Sequence, residues 1–378
     1  MEAENIIVID GQEFPFTPGE TILQVARRNG IDIPTLCYLK DATPTGACRI
    51  CVVEVEGAPN LAASCATDAT PGMVVGTETP RVVKARRTNL ELLLASGHHN
   101  CLVQDLDMDS WTDFQLQSMG PKEHQTLCPV YGECRLQDLA VRYQVRTPPF
   151  APAEVKYPIE NVNPFIVRDF SRCILCGRCV QACNEIQVNN VISFDHKGED
   201  AKIVTRGDTT LKDSNCVFCG ECVQACPVGA LVPIDDYSAD REPLAEKRVR
   251  STCSYCGVGC QLYMHVRDDK VIKVTGVEDA GPNYGRLCVK GRFGYDFINH
   301  PDRLKKPLIR DNGELREASW DEALKLVSEK LTKIKGQSGS DAIGVLTSAR
   351  ITNEENYLAQ KLARAVIGTN NVDHCARL

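Results

Sequence analysis

Cysteine spacing is the feature of this chain that most directly indicates chemistry. The 378-residue sequence has 20 cysteines, and nineteen of them fall into five spaced groups. Iron–sulfur clusters are held by four thiolates each, and histidine replaces cysteine in some of them. One histidine would complete five sets of four ligands, so the chain is predicted to conduct electrons. The groups are Cys37, Cys48, Cys51 and Cys65; Cys101, Cys128 and Cys134; Cys173, Cys176, Cys179 and Cys183; Cys216, Cys219, Cys222 and Cys226; and Cys253, Cys256, Cys260 and Cys288.

Two of these groups form an internal repeat. Residues 173–183 and 216–226 both read Cys-x2-Cys-Gly-x-Cys-Val-Gln-Ala-Cys. The run Cys-x2-Cys-x2-Cys-x3-Cys is typical of two-cluster sites, in which the fourth cysteine of each run ligates the other cluster. We therefore predict two four-iron clusters with exchanged fourth ligands. One is assigned to Cys173, Cys176, Cys179 and Cys226, and the other to Cys216, Cys219, Cys222 and Cys183.

The first group predicts a two-iron site. Its spacing, Cys37-x10-Cys48-x2-Cys51-x13-Cys65, keeps the short pair of plant-type two-iron sites but has a longer first gap. Gly46 and Ala47 in this loop are small, which lets backbone N–H groups approach the cluster sulfurs. A zinc site is the alternative, although zinc prefers two separated short pairs.

The second group lacks one ligand. Cys101, Cys128 and Cys134 need a histidine to complete a four-iron site, and such a ligand raises the potential of a cluster. His98 is the candidate that we assign, with His99 and His124 as alternatives. At least two of these histidines are expected to be solvated loop residues. The segment 102–127 is predicted to be a surface loop.

The last group predicts a further four-iron site. Its spacing, Cys253-x2-Cys256-x3-Cys260-x27-Cys288, would also suit a structural zinc ion. Lys290 follows the last ligand, and taken in isolation it could be an ordinary surface lysine. Cys375 lies outside the five groups and is expected to be a small buried apolar residue.

Composition limits the classes of function. The net charge of −7 and the absence of a basic block argue against a nucleic-acid partner. No apolar run approaches the roughly 18 residues that span a bilayer, and the polar start is unlike an export signal. We therefore expect a cytoplasmic protein with no membrane span, whose cysteines bind metal in preference to forming disulfides.

Residue patterns predict a multidomain α+β chain. Ile6–Ile9 should pair with residues 13–16 across an Asp10-Gly11 turn, and a short helix should follow over 21–29. Residues 81–95 read as a helix with an apolar stripe, and residues 147–152 as a stiff linker.

The region beyond residue 303 has an alternating β/α pattern. Ser319 with Glu322 and Thr352 with Glu355 are predicted to form capping boxes at two helix starts. Residues 342–346 read as a buried strand. One face of the first of these helices should be lined by Leu324, Val327, Leu331 and Ile334.

The order of these units resembles one family closely. The chain resembles the catalytic subunit of NAD-linked formate dehydrogenases in the order of its units. That order is a two-iron domain, a histidine–cysteine cubane, a two-cluster ferredoxin and the Cys253–Cys288 domain. These enzymes are molybdopterin oxidoreductases. The resemblance covers essentially the whole chain. Segment 285–310 is similar to the family's cluster-to-pterin segment, 347–357 to its first cofactor-lining segment, and 371–378 to the stretch directly before its metal-ligating residue. The family's histidine lies four residues before the first cysteine of its set, where this chain has Gly97.

The resemblance implies five domains. They are a β-grasp 2Fe–2S ferredoxin-like domain at 1–80, a helical His/Cys 4Fe–4S domain at 81–146, a two-cluster 4Fe–4S ferredoxin domain at 155–240, a small 4Fe–4S domain at 247–305, and the start of an α/β molybdopterin domain at 306–378.

The resemblance also implies a mechanism. Formate would be oxidised at molybdenum or tungsten held by two molybdopterin guanine dinucleotides, with Arg350, Asn353 and Asn356 contacting the pterin. Electrons would pass Lys290 to the Cys253–Cys288 cluster. They would then cross the ferredoxin clusters, the His/Cys cubane and the two-iron site. The expected partner is a flavin and iron–sulfur subunit that reduces NAD, a hydrogenase or a ferredoxin, in an anaerobic metabolism.

The chain is expected to end one residue before the family's selenocysteine or cysteine metal ligand. A UGA codon misread as a stop would explain that end, and a genuine terminus is the alternative. As written, the chain is expected to transfer electrons without oxidising formate. Other functions to be distinguished are a relay subunit like the large cluster subunit of NADH:quinone oxidoreductase, an iron-only hydrogenase, and a zinc-binding interaction module.

Overall fold

The computed structural model describes residues 5–97, 99, 129–130, 133–145, 150, 157–237 and 247–374. The chain forms two compact units, Met1–Leu244 and Ala245–Leu378. Both mix helices with strands, so the predicted α+β class is confirmed. The predicted linker at 147–152 lies outside the described residues, apart from Phe150.

A five-stranded sheet begins the first unit. Its strands are β1 (Ile6–Ile9), β2 (Gln12–Pro15), β3 (Val52–Val55), β4 (Ala62–Ala63) and β5 (Val74–Gly76). Their spatial order is β2-β1-β5-β3-β4, with β1 antiparallel to β2 and parallel to β5. Asp10 and Gly11 have φ of 50° and 81°, as a tight hairpin with the right twist requires. The predicted hairpin is confirmed.

Helix α1 (Ile22–Arg28) packs on this sheet. Ile7 and Ile22 are fully buried in the shared core, and burial of such a side chain contributes about 2 kcal/mol. The Thr21 hydroxyl accepts a hydrogen bond from the Gln24 amide, and the Gln24 side chain accepts one from the Thr21 amide. This capping box explains why the helix begins at residue 22.

Two helices follow in the first unit. They are α2 (Pro80–Ala95) and α3 (Arg135–Arg142). Leu90 and Leu94 of α2 are buried against Leu136 of α3. We call the buried group that contains these three leucines the second core. The predicted apolar stripe of α2 is therefore the face that packs against α3.

The rest of the first unit consists of short elements around tight loops. They are β6 (Ile166–Arg168), α4 (Arg178–Gln181), β7 (Ile192–Asp195), β8 (Lys202–Thr205), α5 (Glu221–Ala225) and β9 (Leu231–Pro233). β6 pairs with β9 and β7 with β8, both antiparallel. A π-helical turn, Ala182–Ile186, continues α4. Short 3-10 turns lie at Phe170–Arg172, Gly198–Asp200, Arg206–Asp208 and Asp235–Tyr237.

The second unit holds three small sheets and three helices among its described residues. Its elements are β10 (Lys247–Thr252), β11 (Gln261–Arg267), β12 (Lys270–Gly276), α6 (Val289–Phe293), β13 (Leu308–Asp311), β14 (Glu314–Glu317), α7 (Trp320–Ser338), β15 (Val345–Thr347), α8 (Asn353–Lys361) and β16 (Val372–His374). β10, β11 and β12 are antiparallel, β13 and β14 form a hairpin, and β15 and β16 are parallel. Asp296–Ile298 and Ser340–Ala342 are 3-10 turns, and Leu362–Ile367 is a π turn.

Two capping boxes were predicted at helix starts in this unit, and one is fully formed while the other is formed in part. Thr352 and Glu355 form the full capping box that was predicted. The Ser319 hydroxyl accepts from the Glu322 amide at 3.1 Å, but the Glu322 carboxylate instead accepts from Arg316 at 2.6 Å. The second capping box is therefore only half formed, because a charged hydrogen bond to arginine is stronger than one to a backbone amide.

The predicted buried strand at 342–346 is wrong in its bounds and its burial. The strand is β15, and the Leu346 side chain is 85% exposed. The partner strand β16 pairs with one edge of β15. Leu324 of α7 is also exposed. Among the described residues, no helix is both long and apolar enough to cross a bilayer.

Candidate metal centres

The first cysteine group is gathered at the end of the five-stranded sheet. All four side chains, those of Cys37, Cys48, Cys51 and Cys65, are buried. The Cys48 amide donates to the Cys37 sulfur at 3.5 Å. Arg49 and Gly46 have φ of 56° and 61°, so the loop turns sharply enough to direct amides at sulfurs. The predicted approach of backbone N–H groups is thus present in this loop.

The thiols of this group are close enough to share protons. Hydrogen bonding from Cys48 lowers the pKa of Cys37 to about 5, and that from Cys65 lowers the pKa of Cys51 to about 6. The same contacts, together with burial, raise the pKa of Cys48 and Cys65. The four thiols therefore form two interacting pairs, Cys37 with Cys48 and Cys51 with Cys65, within one site.

The repeat predicted from sequence produces two identical local loops. Leu175 and Phe218 occupy equivalent positions with φ of 52° and 53°. Each donates its amide at 3.4 Å to the sulfur two residues earlier, Cys173 and Cys216 respectively. Because the backbone and the hydrogen bond both repeat, the duplication in sequence is a duplication of ligand geometry.

One cavity in the first unit is lined by cysteines from both repeats. Cys173, Cys176 and Cys179 line it from the first repeat, and Cys226 and Cys222 from the second. Burial raises the pKa of Cys173 to about 11 and that of Cys176 to about 12, and interaction with the Cys226 sulfur adds to both. Four soft thiolates are the donor set that an iron–sulfur cubane needs, and five cysteines line this cavity, so the residues present fit the group.

Three of the remaining predicted ligands, Cys183, Cys216 and Cys219, lie together in a second place, whereas Cys222 lines the first cavity. Burial raises the pKa of Cys216, and the sulfurs of Cys219 and Cys183 act on the same thiol. The Val191 amide donates to the Cys183 sulfur at 3.5 Å. Cys183 therefore lies with the second repeat and Cys226 with the first, which is the exchange that the assignment requires. The ligand assignment itself stays a prediction.

Only part of the His/Cys group is within the described residues. Cys134 is buried, with its sulfur 3.8 Å from the carbonyl oxygen of Pro227, which directly follows Cys226. His98, Cys101, Cys128 and His124, like Cys375, lie outside the described residues. His99 is described, and its Nε2 atom is buried.

Gly97 explains why the family's histidine position is not available in this chain. A Cβ atom at residue 97 would lie 2.1 Å from the carbonyl oxygen of Ser171. No side chain fits at that distance, so backbone packing against the segment before Cys173 requires glycine. The same Cβ position lies 3.9 Å from Nε2 of His99, which places that imidazole beside the ferredoxin region.

In the second unit, the last cysteine group surrounds the start of α6. The Cys253 amide donates to the Cys260 carbonyl at 2.8 Å, which closes the loop that carries three of the cysteines. Burial raises the pKa of Cys253, and Cys288 adds to this rise whereas the Lys290 ammonium opposes it. A Cβ on Gly291 would lie 3.5 Å from the Cys253 sulfur. Lys290 thus lies within electrostatic reach of the site, while Cys256 and Cys288 are exposed.

The predicted pterin contacts lie in one loop and helix start of the second unit. Arg350 donates its backbone amide to the Ser348 hydroxyl at 3.0 Å, and Asn356 donates its side-chain amide to the Ser348 carbonyl at 3.2 Å. Asn353 begins α8 and is exposed. A Cβ on Gly257 would lie 3.2 Å from the Ala349 carbonyl oxygen, so the cysteine loop touches this segment.

Sequence reasoning missed how the sites of the first unit are joined. The second core contains Cys37, Cys48 and Cys134, and Cys173, Cys176 and Cys226 pack against it. One apolar region therefore lies behind ligands of the two-iron site, the His/Cys site and one ferredoxin cluster. Buried apolar stretches such as residues 90–94 indicate a core but do not show which cysteines share it.

Comparison with known families agrees with these sites. Residues 4–80 match the 2Fe-2S iron-sulfur cluster binding domain, and residues 172–230 match the 4Fe-4S dicluster domain. Residues 246–300 match the molybdopterin oxidoreductase Fe4S4 domain, and residues 303–378 match the molybdopterin oxidoreductase domain. The last two matches favour a molybdopterin protein over a pure relay subunit or an iron-only hydrogenase.

Individual relatives indicate which molybdopterin proteins the chain is similar to. The chain is 35% identical over 416 residues to "Putative formate dehydrogenase YrhE" of Bacillus subtilis (strain 168), with all of this chain and 40% of that protein aligned. It is 31% identical over 414 residues to a protein of the same designation from Staphylococcus aureus (strain USA300), with 100% and 39% aligned. A solved structure of an NAD+-reducing nickel–iron hydrogenase in the H2-reduced state covers 64% of this chain and 92% of its own, at 29% identity and a TM-score of 0.49.

These findings place the chain among the molybdopterin oxidoreductases that carry additional iron–sulfur domains. Within that class it belongs with the proteins designated "putative formate dehydrogenase", and it corresponds to their N-terminal region. The chain spans about two fifths of the length of the curated relatives it matches. The matched families imply 2Fe–2S and 4Fe–4S clusters and a molybdopterin cofactor.

Proposed function

We propose that this chain is the electron-transfer portion of a formate dehydrogenase and passes electrons through five clusters to a partner. The observation that supports this most strongly is the exchange of Cys183 and Cys226 between the two repeats. In that exchange Cys226 lines a cavity with the thiols of the first repeat and Cys183 lies with Cys216 and Cys219 of the second, which supports two thiolate sets. A single structural metal ion would not require two interlocked loops of the same shape.

The proposed ligands form five sets. They are Cys37, Cys48, Cys51 and Cys65 for one 2Fe–2S cluster, and for four 4Fe–4S clusters His98 with Cys101, Cys128 and Cys134; Cys173, Cys176, Cys179 and Cys226; Cys216, Cys219, Cys222 and Cys183; and Cys253, Cys256, Cys260 and Cys288. His99 is the alternative to His98, since its Nε2 atom is buried next to Gly97 and Ser171. When bound, these clusters supply one-electron redox chemistry.

The chain's own residues hold the clusters and set their environment. Amides of Cys48, Leu175, Phe218 and Val191 donate to ligand sulfurs, which stabilises the more negative, reduced state of a cluster. The second core excludes water between three of the sites. Lys290 places a positive charge beside Cys253, where an electron arriving from a pterin would be stabilised.

Formate oxidation belongs to the proposal for a protein of the relatives' full length. Arg350, Asn353 and Asn356 would hold part of a molybdenum or tungsten bis(molybdopterin guanine dinucleotide), because their loop touches the cysteine loop at Gly257. The chain spans about two fifths of the length of the relatives it matches, and we propose that the rest of the active site lies in parts of a full-length protein that these residues do not cover. The chain alone is therefore expected to exchange electrons but not to oxidise formate.

The proposed electron partner is a flavin and iron–sulfur subunit linked to NAD, a hydrogenase or a ferredoxin. Metal ligation in preference to disulfides is typical of cysteines in a reducing compartment, and we propose the cytoplasm.

An anaerobic reduction experiment tests this function. Dithionite should reduce the purified chain and give several distinct electron paramagnetic resonance signals, and benzyl viologen should reoxidise it. Formate should produce no signal in the chain alone. Reduction of the chain by formate would overturn the proposal that formate oxidation requires the rest of a full-length protein. The lack of any reducible cluster signal would overturn the electron-transfer function.

A further inference from the structure

The two repeats differ in the segment that follows the fourth cysteine. Eight residues, 184–191, separate Cys183 from β7, whereas four residues, 227–230, separate Cys226 from β9. The shorter segment reads Pro-Val-Gly-Ala, so it has no side chain with an N–H group. The longer segment, which we call the 184–191 loop, contains three asparagines and a glutamine. The repeat is therefore asymmetric in the side-chain donors that these segments can offer to a cluster.

Hydrogen bonds hold the 184–191 loop against thiols predicted to bind the second ferredoxin cluster. The Asn189 backbone amide donates to the Cys183 carbonyl at 2.8 Å, and the Val191 amide donates to the Cys183 sulfur at 3.5 Å. The side-chain amide of Asn189 donates to the Cys219 sulfur at 3.9 Å. Asn189 thus contacts one cysteine from each repeat, and both belong to the set predicted for the same cluster.

Left-handed backbone flanks Asn189 on both sides. Val188 and Asn190 have φ of 56° and 52°, and a β-branched residue such as valine rarely adopts this region. Val188 is 69% exposed and Asn190 is also exposed, while Asn189 between them is half-buried. Strained backbone of this kind concentrates at functional sites. Here it surrounds the residue whose side chain contacts a predicted ligand sulfur.

A neutral amide affects the two redox states of a cluster unequally. When a cluster gains an electron, its ligand sulfurs become more negative, and a hydrogen bond to a more negative acceptor is stronger. Hydrogen bonds to the sulfurs are among the factors that determine the potential of an iron–sulfur cluster. An N–H donor at the Cys219 sulfur therefore favours the reduced state and raises the potential.

We propose that Asn189 raises the reduction potential of the ferredoxin cluster assigned to Cys216, Cys219, Cys222 and Cys183. Asn189 acts through the Cys219 ligand and does not bind the metal itself. In the step that it favours, this cluster gains one electron from a neighbouring reduced cluster of the chain, which loses one. No covalent bond forms or breaks, and no proton is transferred. This inference rests on the proposed electron-transfer function.

Redox titration followed by electron paramagnetic resonance tests the role of Asn189 in the full chain. The signal of the cluster concerned is the one that Cys216→Ala removes. Asn189→Leu keeps the approximate size of the side chain and removes its amide. At a fixed potential, the reduced-to-oxidised ratio of this cluster should then fall about fivefold, which corresponds to one hydrogen bond of about 1 kcal/mol. Asn189→Asp places a negative charge at the sulfur and should lower the ratio further.

A matched variant separates this contact from the general polarity of the loop. Gln187→Met removes an amide from the same loop, and among the described residues that amide donates to no cysteine sulfur. The reduced-to-oxidised ratio should stay within twofold of the original. The ratio of the other ferredoxin cluster should also stay within twofold in every variant. An equal fall in Gln187→Met and Asn189→Leu would contradict a specific role for Asn189.

Isotope labelling tests the contact without a substitution. Asparagine labelled with ¹⁵N in its side-chain amide should give a weak nitrogen coupling to the reduced cluster in pulsed electron paramagnetic resonance, and Asn189→Leu should remove it. The labelled unaltered protein gives a result even if a variant fails to assemble its clusters. No coupling there, or an unchanged potential in Asn189→Leu, would overturn the inference and leave the electron-transfer function standing. A chain that forms no four-iron cluster would instead overturn the proposed function.

Discussion

The backbone amide of Thr43 donates a 2.7 Å hydrogen bond to the carboxylate of Glu185. Thr43 lies in the loop between Cys37 and Cys48, and Glu185 lies just beyond Cys183 in the π turn that follows α4. Gln181 in α4 donates its side-chain amide to the carbonyl of Thr43 as well. The loop between two predicted ligands of the two-iron site is therefore hydrogen-bonded directly to the helical segment that carries Cys183, a predicted ferredoxin ligand.

Removing this contact should loosen the two-iron loop. Glu185→Ala leaves the Thr43 amide without its partner, at a cost of about 1 kcal/mol for one hydrogen bond. Amide hydrogen exchange should become faster in residues 40–46 and change little in α1. Glu199→Ala, which removes a carboxylate from an exposed turn, is the control. Unchanged exchange in 40–46 would show that the contact does not hold the loop.

Arg86 should matter far more to stability than Arg81 on the same helix. The Arg86 side chain is fully buried and donates to Glu78, to the Tyr143 hydroxyl and to the Val52 carbonyl at 2.7 to 2.8 Å. Arg86→Met removes three hydrogen bonds and should cost on the order of 3 kcal/mol at about 1 kcal/mol each, although Glu78 still accepts from Arg142 and from the Tyr143 hydroxyl. Arg81 forms a pair with Glu54 in which both side chains are substantially exposed, and such a pair is worth about 0–1 kcal/mol.

The melting temperature of the first unit measures this difference. Because a multidomain chain does not unfold in two states, the two variants are compared only by which one lowers the melting temperature more. Arg86→Met should lower the melting temperature by several degrees and Arg81→Met by little. Equal shifts for the two variants would contradict the role given to the buried guanidinium.

Gly97 should tolerate no side chain. Gly97→Ala places a Cβ 2.1 Å from the Ser171 carbonyl oxygen, so α2 and the segment before Cys173 must separate. Lower thermal stability and a reduced iron content are expected. Gly336→Ala is the matched control, because nothing lies within 4 Å of a Cβ there and the residue is inside α7. That variant should gain about 0.5–1 kcal/mol from helix propensity. Equal stability of the two variants would contradict the close approach.

Lys290 should raise the reduction potential of the Cys253–Cys288 cluster. Its ammonium acts on Cys253, so Lys290→Gln should lower that potential, whereas Lys290→Arg should preserve most of it. Lys306→Gln removes an exposed lysine paired with Glu317 and serves as the control. Potentiometric titration of this cluster measures the change. An unchanged reduction potential in Lys290→Gln would contradict an electrostatic role for Lys290.

Much of this structure could be predicted from local residue patterns. The Asp10-Gly11 hairpin, the Thr352 capping box and the identical loops of the two repeats all depend on a few adjacent residues, and all are present. Patterns of this kind act through backbone geometry that the sequence determines over short distances.

The misses involve contacts with residues outside the short motif from which each prediction was made. The Ser319 capping box is half formed because Arg316 captures the Glu322 carboxylate. The exposure of Leu346 depends on which elements cover its sheet, and the Thr43–Glu185 bond joins positions that no local pattern relates. Tertiary competition of this kind cannot be read from spacing alone.

Metal and sulfide analysis of the anaerobically purified chain tests the central claim most directly. One 2Fe–2S and four 4Fe–4S clusters predict about eighteen iron atoms and as many acid-labile sulfides per chain, with no stoichiometric zinc. Serine variants of Cys226 and Cys183 should each lose iron from a different ferredoxin cluster. Stoichiometric zinc without iron and sulfide would contradict the account and make the cysteine groups structural zinc sites.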